Sequence, residues 1–247
     1  MLHELVVDIR DELDCAVLRL RGRLSLRSNA QVREPIVKSL LSAGRVLVDV
    51  SSLRSTKNSY LSVFPAALAA AGGWPSARLV LFGADVVLHS ALASARIPET
   101  VPLAADLASA RALVEHRPPL VRRHRELPRH FSAGAAGRQL VREACAEWLL
   151  PQDICETAEL VATELVSNAV EHAHSSSRLT VTYTGALFRV SVRDYWPASL
   201  PRPRPIDIGA SRGRGLHLVA ALAHTWHVDQ HPDGKTIYAN LRLDPPQ

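Results

Sequence analysis

The sequence predicts two consecutive units of different class, an α/β unit followed by an α+β unit with helices on an antiparallel sheet. Three observations carry that prediction. In residues 2–115, apolar runs of strand length alternate with stretches of helical period. From residue 131 onward, helical period comes first and strand pairs with tight turns follow. Between the two lies a basic, proline-bearing stretch, Arg117-Pro118-Pro119 to Pro128-Arg129, expected to be a linker. The expected divisions are therefore 1–116, 117–130 and 131–247, in keeping with a 247-residue chain at ~150 residues per domain.

In the first unit, Leu5-Val6-Val7 and Cys15 to Leu20 read as paired strands. Asn29 to Ala43 has helical period and stops at Gly44, a residue suited to the left-handed cap. Val46-Leu47-Val48-Asp49-Val50 is a continuous apolar run, as in a strand buried on both faces. A helix is expected from about Tyr60 to Ala71, a strand over Arg78 to Phe82, and helices near 86–95 and 104–115. In the second unit, helices over 133–149 and 153–172 meet at Pro151. Arg178 to Tyr183 and Leu187 to Arg193 form a hairpin around Gly185. A proline-rich loop from Pro197 to Pro205 leads to Arg212-Gly213-Arg214-Gly215 and a helix ending near His224. Trp226 to Gln230 and Lys235 to Leu243 pair across Asp233-Gly234.

Composition narrows the function classes. Apolar residues make up 47% and charged residues 21%, as in a globular protein with a real core. The net charge is +5, with Arg117, Arg122, Arg123, Arg125 and Arg129 crowded together. Such a balance suits nucleotide phosphates or an acidic protein partner as well as nucleic acid. No recognition-helix, zinc-finger or RNA-binding signature accompanies it, so no direct nucleic-acid contact is expected. Cys15, Cys145 and Cys155 are few and odd in number, and they lack metal-ligand spacing. That pattern points to free thiols in a reducing compartment. With no signal-peptide pattern at Met1 to Asp8 and no apolar run of ~20 residues, a cytoplasmic protein without a membrane span is expected.

The chemistry concentrates in Glu159 to His172. Leu160, Val161, Leu165, Val166, Ala169 and Val170 recur at helical spacing, while Glu164 and Asn168 stand four apart and share one side. Asn inside a helix is unfavourable by roughly half a kcal/mol against Ala. An oxygen-bearing pair at this spacing can hold a hard cation through Asn168 and orient a water or hydroxyl through Glu164. The plain alternative is a solvated polar stripe. Downstream, Asp194 ends a strand, where it can accept a hydrogen bond from an exocyclic amine or simply shape a turn. Gly213 and Gly215 open an apolar helix, so that phosphate oxygens can approach backbone N–H groups at its positive end, with Arg212 and Arg214 adding charge. Gly234-Lys235-Thr236 begins the last strand or is an ordinary hairpin turn.

Taken together and in this order, these segments resemble the Bergerat-type fold of GHKL ATPases. The likeness is to the anti-sigma-factor serine kinases of actinobacterial partner-switching systems. It rests on Glu164-Leu165-Val166-Ser167-Asn168-Ala169-Val170-Glu171-His172-Ala173, the following Asp194, the proline-rich loop, Gly213-Arg214-Gly215-Leu216 and Gly234-Lys235-Thr236, and covers about 130–243. The resemblance implies ATP and Mg²⁺ as ligands. Asn168 would ligand the metal, Glu164 would be the catalytic base, and Asp194 would read adenine with Thr236 behind it. Arg212, Gly213, Arg214, Gly215 and Leu216 would embrace the phosphates. In one departure, Tyr195-Trp196-Pro197 follows Asp194 where many relatives carry glycines, and its bulk is expected to narrow or cap the adenine pocket.

The first half resembles the STAS domains of anti-anti-sigma factors through Val48-Asp49-Val50-Ser51-Ser52-Leu53 followed by a helix. Their phosphorylated serine aligns with Asn58 in Lys57-Asn58-Ser59-Tyr60, which implies a docking or regulatory domain without its phospho-switch. The whole then reads as a STAS-like domain before a Bergerat-type α/β sandwich. The function implied is an ATP-binding anti-sigma regulator with protein serine/threonine kinase activity toward a STAS antagonist. Its partners would be that STAS protein and a sigma factor, and a homodimer is admitted. The alternative is a non-catalytic nucleotide-binding scaffold that sequesters the same partners. A sensor histidine kinase fits less well, because His124 and His130 lie in the proline-bearing stretch rather than on a dimerisation helix.

Overall fold

The computed structural model describes residues 5–12, 14–172, 175–196 and 215–243. The chain divides into two compact units, Met1–Val121 and Arg122–Gln247. The first is a five-stranded sheet in the order β1-β2-β3-β4-β5. β1 (Val6–Asp11) is antiparallel to β2 (Ala16–Leu24), whereas β3 (Arg45–Ser55), β4 (Arg78–Phe82) and β5 (Leu103–Ala104) follow in parallel. The parallel crossovers carry α1 (Asn29–Ala43), α2 (Val63–Ala70) and α3 (Val86–Ser94), and α4 (Leu107–Leu113) follows β5. α1 ends where expected because Gly44 takes φ 72° and its N–H closes on Leu40 O.

The pleat of β3 divides the core between two faces. Val46, Val48 and Val50 pack with Leu18, Ile36 and Phe64, while Leu47 packs on the other side with Val80, Ala110 and Val114. Asp49 points to that second side at 6% exposure. Its carboxylate accepts from Arg19 Nε at 2.8 Å and from Ser51 N at 2.9 Å. Burial pushes the Asp49 carboxyl up, but the Ser51 and Arg19 hydrogen bonds outweigh it and hold the group below its ordinary value. The turn expected to open a helix at Asn58 is a separate 3₁₀ segment, Asn58–Ser62, with Asn58 and Ser59 exposed.

The second unit is a five-stranded sheet in the order β6-β7-β8-β10-β9. α5 (Ala133–Trp148) and α6 (Gln152–His172) precede the hairpin of β7 (Ser177–Tyr183) and β8 (Leu187–Asp194); α7 (Gly215–Leu222), β9 (Thr225–His231) and β10 (Gly234–Arg242) complete it. The expectation of a linker at 117–130 is corrected here, because β6 (Val121–Leu127) is a strand beside β7. Val121 and Leu127 are buried, and between them Arg123 and Arg125 reach Glu147 and Glu143 of α5 at 2.7 and 3.0 Å. Composition concealed the strand: its two middle inward positions carry arginines neutralised by the helix above.

α6 lies on β7, β8 and β10 and between α5 and α7. It buries Ala158, Val161, Ala162, Leu165, Val166 and Ala169, an i, i+3, i+4 stripe. Leu160, expected to join that stripe, is 52% exposed. Trp148 closes the far end of this core against Tyr183 and Phe188, with centroids 6.4 and 6.1 Å away.

Candidate nucleotide site

The register of three neighbouring strands builds the site end of the sheet. Ser177, Asp194 and Lys235 are direct partners across β7, β8 and β10. So are Leu179, Val192 and Ile237, then Val181, Val190 and Ala239, then Tyr183, Phe188 and Leu241. Pleating puts all four rows on one face, and every member is buried. That face is apolar except at the end where Ser177, Asp194 and Lys235 stand in line. The Asp194 carboxylate, 3% exposed, meets Lys235 Nζ, 6% exposed, at 2.8 Å. Its Oδ1 accepts from Trp196 N at 3.3 Å.

Above the sheet, Glu164 and Asn168 are half-buried on successive turns of α6. Gly215, the first residue of α7, lies directly against Glu164, and a side-chain carbon there would collide with Glu164 Oε2. The helix start thus approaches the carboxylate at backbone distance, and any larger residue there would have to push the Glu164 carboxylate aside. Leu216 is half-buried beside it. The structure brings together Glu164 and Gly215, with Asn168 one turn along. Arg212, Gly213 and Arg214 lie outside the described residues, as does Pro197.

The pleat sends two of these side chains, Thr236 and Tyr195, to the opposite face. Thr236 pairs with Arg193 rather than Asp194, so its side chain leaves the opposite face, where His231 Nε2 lies 3.1 Å from its Oγ1. Tyr195 turns the same way, its ring lying under the Arg193 guanidinium at 5.4 Å, and its bulk is directed away from Asp194. Arg193 is further held by Asp233 at 2.6 Å. Lys235 takes the place beside Asp194 instead. Sequence reasoning quoted this lysine only as part of a motif, yet counting alternate residues back from Ile237 would have put it on the Asp194 face.

The donor set fits a nucleotide and its metal. Glu164 and Asn168 supply hard oxygen, and Gly215 lets a helix N-terminus come close with its positive end. Among the described residues no three His, Cys, Asp or Glu side chains cluster in a way that could hold a metal ion. No described helix is long and apolar enough to cross a membrane.

Solved structures similar to the chain include the RsbU and RsbW domains of Rv1364c from Mycobacterium tuberculosis, at 23% identity, TM-score 0.41, over 53% of this chain and 34% of that one. The chain thus spans about a third of that structure's length. An anti-sigma factor antagonist from Mycobacterium paratuberculosis is 13% identical, with TM-score 0.41, over 46% of this chain and 96% of its own. An anti-sigma-factor antagonist (STAS) domain protein from Planctomyces limnophilus is 14% identical, with TM-score 0.38, over 44% and 96%. No match was found among curated proteins. The family description "Histidine kinase-like ATPase domain" matches residues 130–241, the span that holds α5, α6 and the hairpins around them. Residues 130–241 are thus a histidine kinase-like ATPase domain within a two-unit chain.

Proposed function

We propose that the chain is an ATP-binding anti-sigma regulator of a partner-switching pathway, and that it phosphorylates a serine or threonine on a separate STAS-domain protein. The observation that carries this reading is the seating of the α7 start on Glu164, one turn from Asn168. In the proposal ATP supplies the phosphoryl group. Asn168 holds Mg²⁺ jointly with phosphate oxygens, because this cation keeps few protein ligands in such sites. Glu164 orients the acceptor hydroxyl and takes its proton, while Arg212, Gly213, Arg214, Gly215 and Leu216 line the phosphates. Asp194 addresses the exocyclic amine of the base, and Lys235, in place of Thr236, is its immediate neighbour. The first unit is the STAS-like docking element. Its exposed Asn58 carries no hydroxyl, so the phosphoryl acceptor belongs to another chain. The partners in this reading are that STAS protein and a sigma factor, in the cytoplasm.

Titration calorimetry tests the nucleotide half of the proposal. Asn168→Ala is expected to weaken Mg-ATP binding while leaving metal-free ATP binding unchanged. Equal affinities of parent and variant for Mg-ATP would refute the metal assignment. A second reading, a nucleotide-binding scaffold without transferase activity, is favoured by one observation: the Asp194 carboxylate is already engaged within the chain. Tight Mg-ATP binding without transfer to a co-encoded STAS partner would select that reading.

A further inference from the structure

We propose that Lys235 determines specificity at the base end of this site: it occupies Asp194 as a purine amine would, so a nucleotide base is read only when Lys235 yields. The inference rests on the nucleotide reading above and deepens it. An ammonium N–H donating to a carboxylate at 2.8 Å is the contact that an exocyclic amine would make. The other carboxylate oxygen already receives the Trp196 N–H. Each oxygen of Asp194 thus already accepts one donor before any ligand arrives, and an incoming amine competes with the ammonium for what remains.

The competition is uneven. A charge-assisted hydrogen bond is roughly twice as strong as a neutral one, and this pair is withdrawn from water among apolar neighbours. A neutral amine replaces it only if the ammonium finds another place. The register holds the lysine where it is. Gly234 has φ 154°, and a side-chain carbon on it would collide with the Asp194 carbonyl oxygen and lie 2.9 Å from Tyr195 Cα. β10 is thus pinned against the end of β8, and Lys235 cannot slip along it to another partner. The apparent affinity for a base is then the intrinsic affinity scaled by the fraction of molecules with Asp194 vacated.

The test uses the full chain with Lys235→Thr, titrated by calorimetry with Mg-ATP and, separately, with Mg-tripolyphosphate, which has no base. The expected result is an affinity gain of about tenfold or more for Mg-ATP, with tripolyphosphate unchanged. Unchanged or weaker Mg-ATP binding in the variant overturns the inference. If tripolyphosphate still binds in that case, the phosphate end of the nucleotide reading stands and only the role of Lys235 falls. If neither ligand binds parent or variant, the nucleotide reading falls and the inference with it. Should the Thr variant fail to fold with Asp194 left alone, Lys235→Gln keeps a neutral donor on the carboxylate. A several-fold gain is then expected, and no gain overturns the proposal.

Discussion

A fragment that begins where the ATPase match begins should be crippled by the loss of a strand lying just before it. β6 precedes residue 130, yet it completes the second sheet. Cutting at 131 removes Leu127, 1% exposed, from the core beside Gly137 of α5. Such a side chain contributes about 1.5–3 kcal/mol when fully buried, as an upper figure. The Arg123–Glu147 and Arg125–Glu143 pairs are partly solvated and add less than about 1 kcal/mol each. β7 would also become an open edge, with its unpaired backbone groups available for aggregation. Set against about 5–15 kcal/mol for a whole domain, this loss brings the fragment to the margin of stability. Thermal melts followed by far-ultraviolet circular dichroism compare fragments 120–247 and 131–247. The shorter one should melt roughly 5–20 °C lower, or fail to show a cooperative transition. Midpoints within about 3 °C of each other would refute the reasoning and reduce β6 to an ornament of the sheet.

Three further outcomes are expected. Glu164→Gln should leave Mg-ATP binding intact while lowering phosphoryl transfer to a separate STAS partner by about 10²-fold, read with labelled ATP. Gly215→Ala should cost about 1 kcal/mol or less in a urea melt, because the new methyl meets the movable end of Glu164 rather than backbone. The same variant should lose transfer by up to about 10²-fold as that carboxylate is pushed aside. Asp49 has a lowered pKa when folded, so the folded state binds fewer protons than the unfolded one. Its contribution is present above the ordinary carboxylate value and is lost as pH falls through the lowered one. Urea midpoints measured down the acid range should therefore fall less steeply for Asp49→Asn than for the parent.

Much of the fold was legible because the punctuating residues were local. α1 stopped at Gly44 and the β7–β8 hairpin turned at Gly185, and both positions take positive φ. The α6 stripe followed directly from its spacing. β5 escaped notice because two residues, Leu103 and Ala104, leave no period to detect. β6 escaped because arginines occupy its inward positions, and their acidic partners lie on a helix that comes later in the chain. The candidate site divided along the same line. Glu164 and Asn168 could be paired from helical spacing alone. The meeting of Asp194 with Lys235, and the turning of Thr236 to the opposite face, depend on strand register that only the folded sheet fixes.

The arginines of β6 also bear on how the molecule meets polyanions. Arg123 and Arg125 already face Glu147 and Glu143 within the same unit. A charge compensated in this way condenses no phosphate and releases few counterions when one approaches. Two members of the basic cluster that stands out along the sequence are therefore, in space, part of a zipper between a strand and a helix, while Arg122 and Arg129 stay exposed. Arg123 and Arg125 should therefore add little to the salt dependence of any attraction to a nucleic-acid backbone.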